Sequence, residues 1–366
     1  MAGIYIHIPF CIRKCPYCDF YSVAGAEKLL PFFVRAVQDE LELVSREFPL
    51  GEIRTVYFGG GTPSLLSGRE ISGILEGIGR FYGRRTDAEI SLEANPGSIA
   101  PAKLREFREA GVNRLSIGGQ SFHPRELEVL GRIHSVDDIS KTVEHARSAG
   151  FDNLGLDLIF GLPGQELEAW RASVKRALDL QPDHISAYAL TWSKDTPMGR
   201  NIASGALPEP EENTVSEMLL WTDEFLSEAG YHHYEISNFA RPGFECLHNL
   251  NYWSGTAYLG LGPSAHSFVD GKRFWNAASL ERYLEYVGKE QSAREGEETL
   301  TPSEKRLEAL SLGLRRSSGI PLSIVMDKMA EIHEMENRGF GQIRDGRFLP
   351  TARGFLLADE LAGRLA

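Results

Sequence analysis

Hydrophobic residues in the first half of the chain fall into short runs separated by longer amphipathic stretches. Runs at 4–8, 53–58, 89–93, 114–117, 154–160 and 184–190 are apolar or β-branched and read as strands. Between the first two, Leu30, Phe33, Val34, Val37, Leu41 and Val44 recur at three and four residues, which predicts a helix with one apolar face. The remaining gaps are about 20 to 40 residues long, too long for a hairpin and right for a crossover helix. Strand and helix alternating in this way predict an α/β chain with a parallel sheet, either doubly wound or a barrel.

The strand ends carry more information than the strands. The run 53–58 leads into Gly59-Gly60-Gly61-Thr62-Pro63, and 89–93 into Ala94-Asn95-Pro96-Gly97. The run 114–117 leads into Gly118-Gly119-Gln120, and 154–160 into Gly161-Leu162-Pro163-Gly164. Any one of these is an ordinary turn. Four on the carboxyl edge of one parallel sheet predict a ligand site, because glycine lets backbone come close to a bound molecule. Gly161–Gln165 lacks the lysine and hydroxyl residue of a nucleotide phosphate loop, so that reading is set aside.

Further along, 289–299 is polar and glutamate-rich and reads as a linker. Thr301-Pro302-Ser303-Glu304 is a capping box, after which Leu307, Leu310 and Leu314 should share a helix face. Asp345-Gly346 between Ile343 and Phe348 signals a hairpin, and Thr351 is placed to cap a last helix with Phe355, Leu356 and Leu361. A small winged-helix-like domain is therefore expected over 299–366. Its ten basic and nine acidic side chains give no field for DNA, so a packing or lid role is expected. The whole division reads as a core over 1–238, an extension and linker over 239–298, and this small domain.

Composition narrows the classes. With 42% hydrophobic and 25% charged residues the chain is globular, and 366 residues suit one large domain with an appendage. A net charge of −12 repels nucleic acid and anionic lipid. The first ten residues have neither a basic region nor a small-residue cleavage site, and no 18-residue apolar run occurs, so neither a signal peptide nor a membrane span is expected. A cytoplasmic protein follows from these readings.

Four cysteines are too few for a disulfide framework, and three of them lie within eight residues, directly after the first strand. Cys11, Cys15 and Cys18 must share one loop. A structural zinc ion wants four ligands, and only His7 is near as a fourth. A redox dithiol would use Cys15 and Cys18 and leave Cys11 without a role. A [4Fe–4S] cluster with three protein ligands and one open iron uses all three. The spacing Cys11-x3-Cys15-x2-Cys18 is similar to the motif of the radical S-adenosylmethionine (SAM) superfamily.

The likeness extends beyond the cysteines. Ile4-Tyr5-Ile6-His7-Ile8-Pro9-Phe10-Cys11, the Gly59–Pro63 run and His248-Asn249-Leu250-Asn251-Tyr252-Trp253 together resemble the anaerobic coproporphyrinogen III oxidase family, and its haem chaperone branch most. The resemblance covers nearly the whole chain. It implies a partial, open (β/α)6 TIM-like barrel with the cluster at its carboxyl edge. It implies that Cys11, Cys15 and Cys18 hold the cluster, and that Tyr5 and Tyr17 pack against SAM. Gly60, Gly61 and Thr62 would approach the amino-acid end of SAM and Glu93 its ribose or amino group. Gln120, Arg132 and Asp157 match further polar positions of this family, where a second SAM molecule would sit, and His248 matches a haem ligand. Taken alone, His248 reads first as a hydrogen-bonded structural histidine, and only the resemblance favours haem; Cys246 reads as a soft ligand or, preferably, a buried small hydrophobe.

Two activities follow from the resemblance. One is a haem chaperone that binds cluster, SAM and haem and delivers haem to haemoproteins, some of them membrane-associated, with an electron donor as a further partner. The other is oxygen-independent coproporphyrinogen III oxidation. The oxidase branch carries one more cysteine two residues after the third, where this chain has Phe20, which counts against the second activity.

Overall fold

The computed structural model describes residues 2–366. Six strands, β1 (Ala2–Ile8), β2 (Ile53–Gly60), β3 (Arg84–Ala94), β4 (Arg114–Gln120), β5 (Leu154–Phe160) and β6 (His184–Ala189), lie side by side in sequence order and all parallel. Every strand expected from the hydrophobic pattern is present, several of them longer than the apolar run. Helices Leu30–Glu47, Gly68–Tyr82, Pro101–Ala110, Val136–Ser148 and Leu167–Asp179 connect them. Two of these helices begin at reciprocal capping boxes, Ser67 with Glu70 and Ser135 with Asp138, which satisfy donors that a first turn otherwise leaves open.

Alternation along the strands separates two surfaces. Ile4, Ile6, Ile8, Val56, Phe58, Ile90, Leu92, Leu115, Ile117, Leu156 and Leu158 are fully buried in one core with the helices. Each such side chain contributes about 1.5–3 kcal/mol through removal from water. Intervening positions, among them Tyr5, His7, Tyr57, Glu93, Ser116, Asp157 and Ser186, carry polar and aromatic groups on the concave side. The period-two pattern thus places chemistry inside the curve and greasy packing outside it.

The sheet continues at both ends to twelve strands, a mixed sheet with no closed barrel among the described residues. Beyond β6 come β8 (Asn238–Ala240) and β7 (His232–Glu235), both antiparallel. Beyond β1 come β9 (Tyr258–Leu261), parallel to it, and then β10 (His266–Val269), β11 (Lys272–Asn276) and β12 (Arg294–Thr299), antiparallel in turn. This corrects the reading of 289–299 as a linker. Glu295, Glu297 and Glu298 belong to an outermost strand, where charge on an exposed edge discourages further pairing, while Arg294 covers the rings of Phe48 and Phe274.

The C-terminal residues form helices on a three-stranded antiparallel sheet with a separate core of Leu310, Leu314, Ile320, Ile332, Met335, Phe348 and Leu361. The Thr301 capping box, the hairpin at Asp345-Gly346 and the Thr351 cap are all present. Leu307 is an exception to its expected face: it is exposed. Thr351 caps only a short helix, Ala352–Phe355, and Leu361 lies on the next, Ala358–Leu365. Among the described residues, no helix is long and apolar enough to cross a membrane.

Candidate functional site

The carboxyl ends of β1 to β6 surround a pocket of about 390 Å³. Cys11, Cys15, Cys18, Tyr17, Gly60, Gly61, Thr62, Glu93, Gln120, Arg132 and Asp157 all line it. The fold therefore brings together eleven of the thirteen residues singled out from the sequence. Tyr5 and His248 are not among them.

The cysteines sit on the loop after β1, half-buried and free of disulfides. A turn from the Cys18 amide to the Cys15 carbonyl (3.2 Å) shapes the loop, and Lys14 Nζ donates to the Phe20 carbonyl (3.1 Å) to hold its end. Thr62 Oγ1 donates to Cys11 Sγ at 3.7 Å, and Arg132 Nη1 donates to Cys15 Sγ at 3.6 Å. Burial pushes the Cys18 thiol up to about 11, with the neighbouring thiols adding to the effect. A thiolate there needs a positive partner. Among the described residues, no three metal-ligating side chains converge closely enough for a single ion. Tetrahedral zinc needs four ligands around one ion, whereas three soft thiols on one loop suit an iron–sulfur cube, in which each thiolate binds a different corner iron.

Opposite the cysteines the wall is glycine, for steric reasons. Gly61 lies so close to the cysteine loop that a Cβ would meet the Phe10 and Ile8 carbonyls and Cys11 Sγ within 3.0 Å. Gly60 has φ +108°, and a Cβ there would strike the His7 ring at 2.7 Å. The amides of both are committed, Gly60 to Glu93 Oε2 (3.2 Å) and Gly61 to the Ile8 carbonyl (2.7 Å).

Two carboxyl groups form the floor. Glu93 accepts from Tyr57 OH (3.0 Å) as well as from Gly60, and burial, reinforced by Asp157, raises it to about 7. Asp157 accepts from Ser116 Oγ (2.9 Å) and Ser186 Oγ (2.7 Å), and burial raises it too. These bonds position pocket-facing carboxyls; the helix-capping role that strand-end acids often take is not theirs. Neighbouring acids that resist ionisation favour a cationic ligand, which would relieve their repulsion.

Arg132 also donates to the Gly118 carbonyl (3.0 Å) and to Asn95 Oδ1, which ties the β4 end to the cysteine loop. Gln120 adopts φ +67°, unusual for a residue with a side chain and the kind of strain that gathers at functional sites. Sequence reasoning missed Tyr57, Asn95, Ser116 and Ser186. The period-two alternation was the available signal for Tyr57, and Asn95 lies in a strand-end motif already recognised.

Tyr5 does not line the cysteine pocket. Its hydroxyl bonds His7 Nδ1 at 3.1 Å, and its ring stacks with Tyr57 at 6.2 Å between centroids.

His248 lies at the other end of the strands. Helix Leu247–Trp253 inserts into the amino end of the curved sheet, where Glu89 accepts from the amides of Leu247 (2.9 Å) and His248 (3.0 Å). The His248 ring is buried, and both its nitrogens are engaged, Nδ1 with Thr55 Oγ1 and Nε2 with Tyr252 OH, each at 2.9 Å. Burial, then the Arg114 charge, lowers its pKa to about 3, so the ring is neutral. It does not line the cysteine pocket, and to ligate iron it would have to release Tyr252 or Thr55. Cys246 is buried beside Glu89, consistent with a small hydrophobe.

Comparison with known proteins agrees with this geometry. The family model for the radical SAM superfamily matches residues 5–177. The chain is 36% identical to the heme chaperone HemW of Mycobacterium tuberculosis over 99% of this chain and 94% of that protein. It is 33% identical to the heme chaperone HemW of Bacillus subtilis over 99% of this chain and 98% of that one. Its fold is similar to the coproporphyrinogen III oxidase HemN of Escherichia coli, described as a radical SAM enzyme, with a TM-score of 0.85, 26% identity, and coverage of 100% of this chain and 89% of that one.

Proposed function

Since the chain belongs to the radical SAM superfamily and, within it, to the family of the heme chaperone HemW, we propose that it is a haem chaperone that binds a [4Fe–4S] cluster, SAM and haem. It would work in the cytoplasm with haem-accepting proteins and an electron donor as partners. The observation that carries this reading is the convergence of three free thiols, a glycine wall and two carboxyls raised by burial on one pocket.

In this reading Cys11, Cys15 and Cys18 hold the cluster through three irons. When bound, the cluster supplies one-electron chemistry at its open iron, where SAM docks. The chain's own groups do the placing. Gly60 and Gly61 let the ligand approach the loop closely; with their amides committed, the Glu93 carboxyl would be the group that meets an ammonium. Tyr17 packs along the ligand, and Asp157 and Gln120 fix its far end. Arg132 donates to Cys15 Sγ and holds the sulfur at the pocket wall.

A second reading, coproporphyrinogen III oxidation, is favoured by the fold likeness to HemN. Phe20 opposes it, since it places an exposed aromatic ring at the pocket mouth where the oxidase branch has a cysteine. Incubating the reduced, SAM-loaded chain with coproporphyrinogen III separates the two. The chaperone reading expects no protoporphyrinogen IX, together with transfer of bound haem to an apo-haemoprotein. Formation of protoporphyrinogen IX would reverse the ranking.

A further inference from the structure

A second groove, about 360 Å³, lies on the same concave side over β1, β9 and β10, and the argument for it rests on the haem-carrying reading above. It shares Asp19 and Phe20 with the cluster pocket, so the two spaces meet at the end of the cysteine loop. Its volume falls in the usual range for small-molecule and cofactor sites, about 300–1,000 Å³. Tyr5, Tyr252 and Tyr258 line it, with Tyr252 and Tyr258 in edge-to-face contact at 4.6 Å between centroids. Aromatic walls of this kind suit a flat, largely apolar ring system.

Two histidines face the groove, and their states differ. His7 is committed at both nitrogens, to Tyr5 OH and to the Tyr21 carbonyl (2.8 Å). His266 is exposed, and its ring stacks on Trp275, its partner in register on β11, at 5.7 Å and 26°. No hydrogen bond holds either of its nitrogens among the described residues. Partial burial and the nearby Arg273 guanidinium, outweighing Glu298, lower its pKa, so the ring is neutral near pH 7 and free to donate to a metal.

We propose that haem occupies this groove, with His266 as an axial ligand to its iron and the tyrosines as its apolar wall. The indole of Trp275 sets the angle of the imidazole. Tyr252 connects the groove to His248 through the hydrogen bond to Nε2, so the buried histidine acts on haem as a positioning residue behind the wall. An open groove leaves one edge of the ring accessible for transfer to an acceptor.

The test is a titration of the full chain with hemin, following the Soret band of wild type, His266→Ala, His266→Met and His248→Gln. The proposal expects His266→Ala to weaken binding on the order of tenfold or more. His266→Met should bind hemin with a shifted Soret band, the signature of an exchanged axial ligand. His248→Gln should keep the wild-type band position, because the axial ligand is untouched, while weakening binding less than His266→Ala does as Tyr252 loses its imidazole partner. Wild-type affinity and spectrum in both His266 variants would overturn the assignment and leave the haem reading standing. A wild-type chain that binds no hemin would instead overturn the haem reading itself, and the assignment with it.

Discussion

The two ends of the curved sheet are built from the same kinds of residues and put them to opposite uses. At the amino end, Glu89 accepts from two backbone amides of an inserted helix, and His248 is held at both nitrogens. At the carboxyl end, Glu93 and Asp157 face a cavity; burial raises the pKa of both, and Asp157 raises that of Glu93 further. A satisfied polar network fixes a plug; a polar network left facing space waits for a ligand. The difference lies in what the opposing element supplies. Helix Leu247–Trp253 fills one end with amides and an imidazole, whereas glycine turns leave the other end open.

Four substitutions would break or sharpen this contrast. The largest effect is expected for Cys15→Ala, which should reduce reconstituted iron from about four per chain to well below one. Iron analysis and the loss of the cluster's visible absorbance would show it; full iron retention would remove Cys15 as a ligand. Next comes Glu89→Ala, which strands buried donors of the plug and should destabilise the fold by about 2–4 kcal/mol in denaturant unfolding. An unchanged midpoint would mean that the plug is not structural.

Glu93→Gln should leave stability nearly intact and act on SAM instead. The ionised carboxyl favours a cation, and Glu93 sits near 7. Wild-type affinity should therefore weaken as pH falls below 7, approaching about tenfold per pH unit. In the variant that slope should flatten, as equilibrium dialysis between pH 5.5 and 8 would record. A parallel slope in both proteins would place the proton elsewhere.

The smallest effect concerns Glu40, remote from both ends. It accepts from the Gly262 amide (2.8 Å) and Tyr283 OH (2.7 Å), and burial raises it to about 7. A carboxyl raised in the folded state holds a proton that the unfolded chain releases. Its stabilising contribution is therefore complete below the ordinary carboxylate range and lost as pH rises through 7. Glu40→Gln should remove that slope, at most about 1.4 kcal/mol per pH unit. Unfolding midpoints of wild type and variant at pH 5 and pH 8 would check it.

What the chain reveals before folding is its local pattern. The parallel strands, their glycine-rich ends and the cysteine triplet are all written in neighbouring residues, and the structure places them on one edge. The environment of His248 is not legible in this way. Its plugging position depends on Thr55 and Glu89, some 190 and 160 residues earlier by the separations of those hydrogen bonds. Nor does sequence show that Gln120 takes a left-handed backbone, or that His266 and Tyr252 share a groove. The segment 289–299 misleads because an exposed edge strand and a polar linker have the same composition; register against β11 distinguishes them.

The central claim is that the open end of the sheet holds a cluster with one iron left for SAM. Anaerobic reconstitution followed by electron paramagnetic resonance of the reduced chain, with and without SAM, tests it most directly. The proposed function predicts about four irons per chain and a reduced-cluster signal that SAM perturbs. Zinc uptake with no such signal, or a cluster signal indifferent to SAM, would contradict it.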